Sequence, residues 1–172
     1  WMSKVKDLGG VYNGRTLIVD HDLRHQGGSI FNVGTDGILE VGGTLTLSSG
    51  TFNLNGGSLT AGNVDPLSPD LVDFNYQGGD MTLTNETTDF RTLISGAFDS
   101  PEDGNFETRT GAVFQANAID GVGNIRINSG GRIEVGGDVV IGFVSGKTNY
   151  LNVDGTNSTL VVGDDLYVGR SG

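Results

Sequence analysis

Apolar and polar residues alternate along this chain in runs of about four, and the runs break at glycine sooner than an ordinary strand would end. "TFNL" at 51–54 gives way to "NGG", and alternation resumes with "SLTA" at 58–61. A period of two sends successive side chains to opposite faces, the mark of a half-buried strand. No window sustains a 3.6-residue apolar period, so the pattern predicts almost no helix. From Phe31 to Phe52 the chain reads as strand "IFNV", turn "GTDG", strand "ILEV", turn "GG", strand "TLTL" and turn "SSG". Phe31 and Val33 then face inward and Asn32 outward, and Leu39 with Val41 and Leu45 with Leu47 repeat the arrangement.

This unit recurs. "IFNVG" at 30–34, "TFNLN" at 51–55 and "DFNYQ" at 73–77 place Phe, Asn and an apolar residue in one order. The series extends forward to Phe98, Ile125 and Leu151 and back to Tyr12, in steps of 19 to 27 residues. "GILEVGGTLTL" at 37–47 returns as "GRIEVGGDVVI" at 131–141, 94 positions later. Phe31 to Ile125 has the same spacing, which reads as four turns of about 23 residues. So small a unit cannot bury its own apolar face. Stacked units can, each strand pairing in parallel with its equivalent one turn on.

A sandwich of hairpins has no such constant period, and the hexapeptide rhythm of a left-handed β-helix is absent. Parallel crossovers are strongly right-handed. The expected fold is therefore all-β: a right-handed parallel β-helix of about seven coils, roughly 19–27 residues each, in one domain over 1–172. Phe31, Phe52, Phe74, Ile125 and Leu151 form its expected core ladder. Asn32, Asn53 and Asn75 share equivalent positions, where they either stack their amides or simply face solvent.

Composition gives the corners a cause. There are thirty glycines, and glycine adopts the positive φ that tight corners need. Asp154, Asn157 and Asp164 stand at further corners for a similar reason. A net charge of −11 offers no electrostatic footprint for nucleic acid and none for anionic headgroups. No stretch approaches the length of an apolar membrane span, so direct membrane insertion is not expected. The lack of cysteine excludes disulfides and thiolate metal sites.

"GGTLTLSSGTFNLNGGSLTAG" at 42–62 resembles the repeats of bacterial surface and secreted proteins with autotransporter-type passenger regions. It is most similar to the Gly-rich repeats of proteins that bear a PEP-CTERM sorting signal. "YLNVDGTNSTLVVGDDLYVGRSG" at 150–172 resembles a second version of them. The resemblance implies an extracellular or cell-surface solenoid of bacteria, serving as spacer, adhesin-like stalk or matrix component. Its partners would be neighbouring repeats, copies of itself end to end, glycans or surface proteins. Beginning at Trp1 and stopping on "GRSG", the chain reads as an excerpt of a longer one.

The rhythm fails between about 64 and 120, where "NVDPLSPDLVDF" and "GAFDSPEDGNFETRTG" carry all three prolines. Proline disfavours ladder strands, so these segments are expected as protruding loops and as the place for any special function. Asp99, Glu102 and Asp103 are candidate calcium ligands there, an oxygen-rich set of the kind calcium takes, or else solvated carboxylates. No other cofactor is indicated. The rival function is a carbohydrate-active β-helix, a lyase or glycosidase working with loop carboxylates, or a glycan-binding module without catalysis. "GDD" at 163–165 aligns with "GGD" at 136–138 and "GGT" at 42–44, which marks a corner rather than a catalytic pair. His21 and His25, spaced as on a zinc-binding helix, fall on a strand and corner and read as surface imidazoles. No catalytic residue is indicated.

Overall fold

Alternating runs with glycine between them can bury their apolar faces by stacking turn on turn, and the chain does so. The computed structural model describes residues 9–67, 71–84, 87–91, 97–100, 104–109, 111–121, 124–141 and 150–169. Every recorded strand pairing is parallel, and no α-helix occurs among the described residues. The fold is a β-solenoid whose turns each contribute strands to three sides.

On the first side, one inward column runs Leu17, Leu39, Leu59, Met81, Phe106, Ile125 and Leu151, each paired with the next. The second side stacks Leu23 on Leu45 on Val64, and then Phe114 on Ile133 on Leu160. Thr88 joins the two runs, pairing with Phe114 while the Val64 amide donates to its hydroxyl at 3.1 Å. The third side stacks Phe31, Phe52 and Phe74, and then Phe98, Ile119, Val139 and Leu166.

About five turns, those of Leu39, Leu59, Met81, Phe106 and Ile125, have a neighbour on both faces of the first side. That is slightly fewer than the seven expected, because among the described residues the Leu17 and Leu151 turns are stacked there on one face only. Burial follows suit. Phe52, Leu59, Met81 and Phe106 are fully enclosed, whereas Leu166 and Val168 in the last turn are 46% and 60% exposed.

The strands predicted between Phe31 and Phe52 form as Ile30–Gly34, Ile38–Leu47 and the start of Gly50–Pro66. Two of these run on through their corners instead of stopping. Ile38–Leu47 bends at a register shift between Val41 and Thr44, where "GG" sits. Glycine is required where turns come closest: Gly79 has φ +93°, and a Cβ there would collide with the Gly57 carbonyl oxygen.

The expected core ladder joins two different columns. Phe31, Phe52 and Phe74 are in register on the third side, with rings stacked at 5.5 and 5.8 Å. Ile125 and Leu151 belong to the first side, above Met81 and Phe106. Phe98 pairs with Ile119, so the series left its column at the step to Ile125. Tyr12 lies beside Gly34 rather than below Phe31, because Val11 pairs with Val33. The 94-residue spacing is likewise four turns and one side. Ile125 is four pairings above Leu39, while Ile133 stands on the next side.

The region from 64 to 120 supplies strands as well as turns. Pro66 closes the strand Gly50–Pro66, where its missing N–H costs no inner ladder bond, and Ala97–Ser100 and Gly104–Thr108 are ladder strands. Phe90, Phe98, Phe106 and Phe114 form an aromatic cluster in the core, with ring centroids 4.6 to 6.0 Å apart. Edge-to-face contacts dominate, the arrangement favoured by ring quadrupoles. The loops expected around Pro69 and Pro101 fall on 68–70 and 101–103, outside the described residues, while the strands on either side keep the ladder.

Candidate functional site

The asparagines at equivalent positions touch. Asn53 Nδ2 donates to Asn32 Oδ1 at 2.7 Å, and Asn75 Nδ2 donates to Asn53 Oδ1 at 2.8 Å. Asn32 Nδ2 in turn donates to the Gly9 carbonyl. Parallel register sets each amide above the last, so each donates down and accepts from above. This is a structural ladder on the outside of the third side.

The candidate calcium group is only partly in view. Asp99 lies on the strand Ala97–Ser100, paired with Asp120. Its side chain, with Glu102 and Asp103, lies outside the described residues. "GDD" at 163–165 forms a corner stacked on 136–138, the Asp165 amide donating to Asp138 Oδ1. "GGT" at 42–44 is a corner too, but the preceding one, between the first and second sides.

His25 corrects the expectation of a surface imidazole. It is buried in line with Leu47, its ring 6.4 Å from that of Phe31 and 6.2 Å from that of Phe52, both edge-on. Burial pushes its pKa below the ordinary value, against hydrogen bonding with the Ser29 and Thr51 backbone. Nε2 has no hydrogen-bond partner among the described residues. His21 is exposed at the neighbouring corner.

The feature best suited to a ligand lies on the outer face of the first side. A groove of about 480 Å³ crosses successive turns there. Its floor carries two outward columns in strict register. One runs Ser58, Asp80, Asn105, Asn124, and the other Thr60, Thr82, Glu107, Arg126. Arg109 borders it, and Tyr150 stands at one end.

Hydrogen bonds preset this floor. Asn105 Nδ2 donates to Asp80 Oδ1 at 2.8 Å, and Asn124 Nδ2 to Asn105 Oδ1 at 3.0 Å. Arg126 donates to the Tyr150 hydroxyl at 2.9 Å and lies 5.6 Å from the centre of that ring. Glu107 is almost fully buried, although it points away from the core. Arg109 donates to its Oε2 and Asn128 to its Oε1. Burial pushes the Glu107 carboxyl up. Those two hydrogen bonds, with the charges of Arg109 and Arg126, outweigh it and hold the group below the usual carboxylate range.

A glycosidase acid needs a raised pKa and a free proton to give. Glu107 has neither, because its anion is neutralised and both oxygens are engaged. What the groove offers is a row of fixed donors and acceptors, suited to holding a polar molecule.

Sequence reasoning looked for acidic loops and missed this face. Its signal was present at the outward positions of four successive turns. Reading it required the true register, which the 94-residue match displaced by one side. Compared with protein-family models, curated proteins and solved structures, the chain matches none.

Proposed function

We propose that the chain is a non-catalytic structural module, an extracellular β-solenoid that acts as spacer or adhesin-like stalk of a bacterial surface or secreted protein. One observation carries this reading: the first-side ladder keeps its register from Leu17 to Leu151 while its inward residue changes among Leu, Met, Phe and Ile. Such a body gains length one turn at a time, and its sides present residues in straight rows. The resemblance of 37–62 and 150–172 to Gly-rich surface repeats supports the same placement. An acidic exterior suits a soluble exposed rod.

The test is localisation in the cells that make the protein. Antibodies against the chain should label intact cells or the culture medium, and external protease should remove the signal from intact cells. Recovery of the chain solely from the cytosol would overturn the reading.

A further inference from the structure

The groove on the first side has a shape and chemistry that a stalk does not need. Its two columns repeat at the rung spacing of a parallel sheet, about 4.8 Å, so the four strands from Thr60 to Arg126 present a site about 14 Å long before Tyr150 is reached. A ligand that fits must be extended, polar on every unit, and able both to donate and to accept. Among the described residues, the charges lining the groove are Asp80 and Glu107 against Arg109 and Arg126, which cancel. Glu107 is further tied to Arg109, so the floor selects for no net charge. Tyr150 is 38% exposed and held by Arg126, giving a ring fixed in place at the end of the row. Rigid aromatic faces beside amide and hydroxyl groups suit sugar rings, with apolar C–H faces and hydroxyl rims.

We infer that this groove binds a neutral, unbranched oligosaccharide lying along the solenoid axis. Ser58, Thr60, Thr82, Asn105 and Asn124 hydrogen-bond its hydroxyls, and Tyr150 stacks on a terminal ring. Preset side chains lose little freedom when the sugar arrives, which offsets the weakness of the individual bonds. No bond is made or broken in the sugar.

The experiment uses the whole chain, labelled with nitrogen-15. β-1,4-linked hexasaccharides of glucose, mannose, xylose and N-acetylglucosamine are titrated, with a uronate hexasaccharide as the charged counterpart. The inference predicts saturable shifts of the Thr60, Thr82, Asn105 and Asn124 amides with at least one neutral sugar. Y150A should weaken that binding about two- to tenfold, the value of a lost aromatic contact. Y150F should retain most of it, and T51A, on the third side, should match the parent. Circular dichroism of each variant confirms that the fold is kept. The inference fails if no neutral sugar shifts those amides, if only the uronate does, or if Y150A binds as well as the parent.

Discussion

Phe52, Asn53 and His25 show how position in the coil sets the role of a residue. Phe52 is fully enclosed and stacked between Phe31 and Phe74, so Phe52→Ala should cost about 3–5 kcal/mol in urea denaturation. Phe31 and Phe74 are only partly buried, and the same change at either should cost less. Asn53 makes both amide bonds of its ladder, so N53A should cost about 1–2 kcal/mol and exceed N75A. His25 imposes a pH dependence. Its pKa in the fold lies below the ordinary 6.5, so the unfolded chain takes up a proton that the folded chain refuses. Its effect is absent above that pH, grows as the pH falls below about 6.5, and levels off beneath the folded pKa. Denaturation at pH 7.5 and 5.5 should show this loss in the parent and in H21A, and a smaller one in H25L.

Between corners, the strand is the natural unit, and it was the most legible part of the sequence. Alternation fixed which residues face inward, because a two-residue period leaves only two choices per strand. "IFNV", "ILEV" and "TLTL" are strands where the pattern places them. The column each strand joins was not legible, since the interior accepts any large apolar side chain. Leu59, Met81, Phe106 and Ile125 share one column without sharing a residue type. The phenylalanine series therefore crossed from the third side to the first at Ile125. His25 was misread because histidine usually signals surface or metal, whereas here two aromatic rings accept it as a flat core side chain. At corners the constraint is the backbone. Gly79→Val combines a strained φ with a clash against Gly57, and should lower the melting temperature far more than Ser58→Val on the open face.

As a whole, the molecule is a stack in which each turn supports its neighbours. Removing residues 38–57 brings Ser58 to the place of Ile38, its partner in the ladder, so the shortened chain should fold into the same coil one turn shorter. Removing only 44–57 takes out two sides and should abolish cooperative unfolding. The stack also predicts graded protection. Amides of the Met81 and Phe106 turns should exchange most slowly, and those of Leu166–Val168, paired on one face, fastest among the strands.

The claim beneath all of this is that chain position converts to height along one axis. Spin labels test it directly, since the chain has no native cysteine to interfere. Ile18, Thr82, Arg126 and Asn152 lie in one outward column, three, five and six pairings from the first to the others. Label pairs from Ile18 should give separations rising through about 14, 24 and 29 Å, at about 4.8 Å per rung. A separation from Ile18 to Asn152 no longer than that to Thr82 would contradict the solenoid.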